Sequence, residues 1–153
     1  MQGLEAIVAL RNKVEELSRQ LDDHVLVQDI VRENESVVLE LNTQNQLYDK
    51  GINSLGIDIS SYAPYKQVTV RIKRGKGQPF NRVTLRDTGD FHRSFYVELF
   101  PDSFSIQSTS VLTRELVKKY GDSIFGLTDD NIGYLSEIII LPSLLSRIKI
   151  LLL

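Results

Sequence analysis

The sequence predicts an α+β fold: N-terminal helices, a small antiparallel β-sheet of three to four strands, and C-terminal helices. Three observations predict it. Apolar residues recur every three to four positions over 3–21 and again beyond 128. Between these stretches, apolar and polar residues alternate over 68–73, 95–99 and 104–106. The 153 residues, 42% apolar and 25% charged, have the composition of a globular domain with room for one core. A single domain over 1–153 follows, comprising a helical arm (1–41), an α+β body (42–130) and an apolar C-terminal helix (131–153).

Residues 3–21 form the first helix. Ile7, Leu10, Val14, Leu17 and Leu21 repeat at spacings of three and four, a heptad-like stripe with charged residues on the other faces. Three heptads are marginal alone. The stripe therefore packs either on the protein's own body or on the same helix of a neighbouring subunit. Asp22 or Asp23 caps a second helix over about 24–41, with Val27, Ile30, Val31, Val38 and Leu41 on its apolar face. The run Val37-Val38-Leu39 also fits a strand. Thr43 and Gln46 have the spacing of a capping box for a short helix that stops at Lys50-Gly51. Residues 52–64 read as a loop, in and beside which Tyr62 and Tyr65 are the aromatics expected outside the core.

Val68, Val70 and Ile72 alternate with Thr69, Arg71 and Lys73, as in a strand with one wet face. A flexible basic loop over 74–79 follows, and Phe80 to Leu85 return as a second strand. The chain turns at Asp87-Thr88-Gly89 and restarts as a short helix or strand. Phe95, Val97 and Leu99 lie on one strand, Pro101-Asp102 turns, and Phe104 and Ile106 return antiparallel to it. A helix over 113–120, capped by Ser110 or Thr113, stops at Gly121. Thr128 with Asp129 and Asp130 starts the last helix, which carries Ile132, Leu135, Ile138 and Ile139 inward and kinks or restarts at Pro142. The apolar run from Ile138 to Leu153 is 16 residues long and contains Pro142, Arg147 and Lys149. A spanning helix needs about 20 apolar residues, so the run reads as a packed or partner-covered helix rather than a membrane anchor. The N-terminus, with acids at Glu5, Glu15 and Glu16, does not read as a signal peptide.

The absence of cysteine removes disulfides, thiolate metal sites and a cysteine nucleophile. His24 and His92 lack metal-ligand spacing. Asp87-Thr88-Gly89 has the letters of an aspartic-protease loop. That chemistry needs an apolar strand before the Asp and two loops sharing one proton. Arg86 precedes the Asp here and favours two ionised carboxylates, at Asp87 and Asp90. In the alternative role, Asp87 or Thr88 caps a helical turn and Gly89 relaxes the backbone. Gly75-Lys76-Gly77 lacks the second half of a phosphate loop. No catalytic residue, metal or cofactor is expected, and the chain reads as a non-enzyme.

Charge is distributed unevenly. The net charge is −2, but residues 1–40 carry four basic and nine acidic side chains, and residues 66–93 carry eight basic and two acidic ones. The basic region offers Arg71, Lys73, Arg74, Lys76, Arg82 and Arg86 as contacts. It fits three roles: pairing with the acidic end of a neighbour, head to tail, to close a ring; touching a nucleic-acid backbone; or a solvated face.

Leu85-Arg86-Asp87-Thr88-Gly89-Asp90-Phe91, followed by Arg93-Ser94-Phe95, resembles the L-x-D-T-G-x-L-x-x-S signature of small tailed-bacteriophage neck and tail-completion proteins. The motif residues are Asp87, Thr88, Gly89 and Ser94, and the resemblance covers about residues 44–130. Phe91 stands where the family has an aliphatic residue. The paired N-terminal helices and the apolar C-terminal helix lie outside the resemblance. It implies a non-enzymatic structural protein of the virion, assembled in the host cytoplasm as a ring, often six- or twelve-fold. Its implied partners are copies of itself, portal, connector or tail proteins, and passing DNA in transient contact, with no membrane involved.

Overall fold

Helix α1 spans Gln2–Asp22 in the computed structural model, which describes residues 2–153. His24 breaks it by adopting φ 58°, and α2 (Val25–Glu33) packs back on α1. Neither Asp22 nor Asp23 caps α2. The break is held instead by the Asp23 and His24 amides, which donate to the Arg19 and Leu21 carbonyls at 2.9 and 3.1 Å. After Asn34 the chain continues as α3 (Glu35–Glu40), with no strand at 37–39. Ile30, Val31 and Val38 are buried as their spacing requires.

Helix α3 runs directly into a π-helical segment, Leu41–Lys50. The expected capping box at Thr43 is therefore absent. Its hydroxyl donates to the Leu39 carbonyl four residues back, at 2.8 Å, a bond that loosens the helix interior. Wider turns bring residues four and five apart onto one line, and Val38, Asn42, Gln46 and Leu47 are all buried. The segment stops at Gly51, as the sequence indicates, with φ 65°. A Cβ there would meet the Arg82 Cβ at 2.8 Å. Gly51→Ala is expected to cost about 2–4 kcal/mol in urea unfolding, from left-handed strain and overpacking together.

Asn42 and Gln46 are buried because they complete a distant loop. Asn42 donates to the Ile124 carbonyl and accepts from the Gly126 amide, both at 3.0 Å. Gln46 donates to the Gly126 carbonyl and accepts from the Thr128 amide, both at 2.9 Å. Asn131 donates to the same Gln46 oxygen at 2.8 Å and to Asn45 at 3.0 Å. These bonds satisfy the Ile124 carbonyl, both Gly126 backbone groups and the Thr128 amide within the protein.

The central sheet is smaller than expected: two strands, not three to four. Residues 68–73 lie in a helix, α4 (Gln67–Gly75), and 80–85 form no strand. A strand at 68–73 would need a neighbour. The candidate neighbour begins after Pro79 and ends at Leu85 with φ 53°, neither compatible with a regular ladder. The helix instead gains Lys73 and Arg74 in its last turn, opposite the carbonyl ends, and stops before Gly77 at φ 67°.

A single turn, α5 (Asp90–Arg93), leads into the antiparallel hairpin β1 (Phe95–Leu99) and β2 (Phe104–Ser108), with Val97 opposite Ile106. Glu35 fastens the hairpin to α3 by accepting from the Val97 amide at 2.9 Å. Helix α6 (Thr113–Tyr120) stops at Gly121 as expected, but no side chain caps its start. Ser110 instead accepts from the Leu112 amide at 3.2 Å. Thr128 does cap α7 (Asp129–Tyr134), accepting from the Asn131 amide at 3.2 Å. A second π-helical segment, Leu135–Ile140, joins α7 to α8 (Leu141–Leu152). Proline has no amide and clashes with the carbonyl four residues back, so a widened turn before Pro142 lets the helix pass through it.

The buried cluster runs from Val31 through Val38, Leu47, Ile59, Val83 and Ile106 to Leu135 and includes Phe91 and Phe95, with the partly buried Phe125 packed against it. Phe95 meets Phe91 edge-on at 5.0 Å and Phe125 at 4.9 Å. Helices α1, α2 and α8 pack together at one end, where Arg147 of α8 pairs with Glu33 of α2. The α+β architecture with helices at both ends is therefore as the sequence indicates.

Candidate functional site

The six basic residues singled out by sequence fall into two groups. Three are committed to the fold. Lys73 is buried, its ammonium donating to the Arg86 carbonyl at 3.0 Å and lying 5.1 Å from the Tyr65 ring centre. Lys76 pairs with Asp87 at 2.9 Å. Arg82 is half-buried and donates to the Tyr48 carbonyl at 2.7 Å. The other three, Arg71, Arg74 and Arg86, are exposed. Two of them are held against aromatic rings: Arg74 over Phe80 at 4.5 Å and Arg86 over Tyr48 at 4.7 Å. Val68 and Ile72 are also exposed on α4, which gives this face both charge and apolar surface.

The Asp87-Thr88-Gly89 turn is a joint between α4 and α5. Asp87 accepts from Lys76, and Gln78 donates to the Asp87 carbonyl at 3.1 Å. Neither Asp87 nor Thr88 caps α5, whose first flanking residue is Gly89; Thr88 instead closes a local turn, accepting from the Asp90 amide at 3.3 Å. Asp90 pairs with Arg93. The Lys76 and Gln78 hydrogen bonds hold Asp87 below the usual carboxylate range, and the Thr88 and Arg93 contacts do the same for Asp90. Two carboxylates with separate partners, both favoured in the ionised form, do not share a proton. Gly89 has φ 89°, and a Cβ there would lie 2.7 Å from an Arg93 nitrogen. Ser94 donates to the Phe91 carbonyl at 2.5 Å and bonds Ser108 at 2.6 Å, which closes the base of the hairpin.

His92 lies behind this turn. Its Nε2–H donates to the Thr84 carbonyl at 2.9 Å, and burial pushes its pKa down to about 4. Its unfolded value is about 6.5. Between these values the unfolded chain binds more protons, so stability is full above pH 6.5 and falls as pH drops towards 4. The loss is about 2–3 kcal/mol. His92→Gln is expected to flatten the difference between urea midpoints at pH 4.5 and pH 7.

Tyr62 and Tyr65, expected outside the core, are structural. Tyr62 is partly exposed, but its hydroxyl donates to the Tyr120 carbonyl at 2.8 Å. The Tyr65 hydroxyl accepts from the Thr84 amide at 3.0 Å and its ring packs on the core.

The α1 stripe is largely uncovered. Leu17 is buried where α1 meets α8, but Ile7 is 65% exposed, Leu10 52%, Val14 49% and Leu21 37%. Leu4 and Val8 widen the apolar surface near its start. The C-terminal helix carries a second open stripe. Ile138, Leu141, Leu145 and Leu152 are exposed and Ile148 is half-buried. This corrects the inward placement of Ile132 and Ile138, which both face out, while Leu135 is buried and Ile139 partly so. The stripe was legible as the alternating spacing of three and four from 138 to 152, the pattern that marks α1.

Among the described residues, no cluster of three or more His, Asp or Glu side chains is placed to hold a metal ion. No helix among them is long and apolar enough to cross a membrane. No family model, curated protein or solved structure matches the chain.

Proposed function

We propose that this chain is a structural subunit of the bacteriophage head–tail connector, a neck or tail-completion protein that assembles into a ring within the virion. The observation that carries the reading is α1. A helix of 21 residues with an apolar stripe open along most of its length has too little of its own chain to lean on. The open stripe on α7–α8 is a second such surface, and the exposed cations of α4 are a third. Together they suit a subunit that meets neighbours on more than one side. In a head-to-tail ring, the acidic arm of one copy meets the basic α4 face of the next. Virion partners such as portal or tail proteins take the surfaces that the ring leaves open, and passing DNA meets the cations only transiently.

A second reading, a nucleic-acid-binding adaptor, is favoured by one observation: Arg74 and Arg86 are exposed and preoriented over aromatic rings, beside Arg71. Titration of duplex DNA at several salt concentrations separates the two. The connector reading expects weak binding with a shallow salt slope, because two of the exposed cations of 66–93, Lys76 and Arg93, are already paired with Asp87 and Asp90. Nanomolar affinity with a steep slope supports the adaptor and overturns the connector.

A further inference from the structure

The free edge of β2 lines an apolar groove, and the geometry points to a docking site for an extended segment of a partner polypeptide, added to the hairpin as a third strand.

The pairing register fixes which backbone groups are available. The Val97 amide points away from β2, towards Glu35. Phe100 bonds Ser103 and Thr109 bonds Ser94 across the hairpin, which places the ladder bonds at Tyr96–Gln107 and Glu98–Ser105. The amides and carbonyls of Phe104 and Ile106 therefore point outward from β2. No described residue outside the ladder hydrogen bonds to them. Beside this edge lies a cavity of about 820 Å³, lined by the consecutive β2 stretch Ser103 to Gln107, by Val27 and Val31 of α2, and by Leu127, Leu135 and Ile140 of the C-terminal part. An open row of backbone groups calls for another backbone, and the apolar walls call for alternating apolar side chains. Asp102 and Asp122 also line the groove, so a basic residue flanking the segment complements it. The occupant is a strand-forming segment of a different protein, apolar at alternate positions and basic at its ends. The site stands whether or not the chain forms rings.

The test uses the full chain and a labelled peptide, acetyl-Lys-Val-Thr-Val-Thr-Val-Lys-amide, with two N-methylated versions. One is blocked at the alternate amides of one edge, the other at those of the opposite edge. Fluorescence anisotropy and amide hydrogen exchange are measured together. The expected result is saturable binding that one N-methylated peptide loses at least tenfold and the other keeps. Exchange at Phe104 and Ile106 should slow at least tenfold on binding. Ile132→Arg, an exposed change in the groove wall, should weaken binding to a similar degree. Four results overturn the proposal: no binding at millimolar peptide; equal binding of both N-methylated peptides; no slowing at Phe104 and Ile106; or protection of these amides that rises with protein concentration without peptide. The last assigns the groove to a second copy of this chain.

Discussion

Gln46→Leu is expected to be among the most destabilising single substitutions, at about 3–5 kcal/mol. The side chain is fully buried and makes three bonds: to the Gly126 carbonyl, from the Thr128 amide and from Asn131. Leucine fills a similar volume, so the loss comes from polarity rather than from a cavity. Each stranded buried partner costs about 1–3 kcal/mol, and the terms are not additive within one network. The Ile124–Thr128 loop would reopen, and with it the start of α7, whose cap is Thr128. Urea unfolding of Gln46→Leu, Asn131→Ala and the double variant measures the coupling. The double variant should lose clearly less than the sum of the singles, because both remove the same bond. A loss below about 1 kcal/mol for Gln46→Leu would show that water replaces these bonds and that the loop is not internally held.

The second large effect is on assembly. Leu10→Glu and Leu145→Glu place a charge in the middle of each open stripe. Both positions are about half exposed, so monomer stability should change by no more than about 0.5 kcal/mol. Within an interface, an unpaired carboxylate is costly, and loss of a central apolar anchor alone is worth about 2 kcal/mol or more, roughly a thirtyfold weakening. In a ring every subunit contributes to two interfaces, so one substitution acts on every contact. Both variants should sediment as folded monomers at concentrations where the unaltered chain assembles. Charge reversal on α4 is tested with Arg71→Glu and Arg74→Glu only. Lys73 is buried, so changing it would disturb the fold itself, and Lys76 is already paired with Asp87.

How legible each element was depends on how local its causes are. The α1 stripe, the Gly51 and Gly121 stops, the Thr128 cap and the turn at Pro101-Asp102 depend on neighbours within a few residues, and the sequence carries them. Helix α4 was hidden because Val68, Val70 and Ile72 satisfy a strand period as well as a helix turn over so short a window. What decides is the missing partner strand, and that depends on Pro79 and on the backbone at Leu85. Asn42 and Gln46 look like surface residues in a polar stretch. Their burial follows from a loop about eighty residues further on, a relation no local period records. Lys73 is illegible for a related reason: a lysine reads as a surface charge, yet its ammonium lies over the Tyr65 ring and donates to the Arg86 carbonyl. The Asp87-Thr88-Gly89 turn is a turn as the sequence indicates, but it follows a helix rather than the expected strand, for the same reason that hides α4.

We propose the open stripes as the subunit interfaces of a closed ring. Native mass spectrometry of the purified chain, with electron microscopy of the same sample, tests it most directly. Closed rings of a single order, six- or twelve-fold, that Leu10→Glu abolishes are the expected result. A monomer at every concentration examined, with both stripes left open in solution, would contradict it.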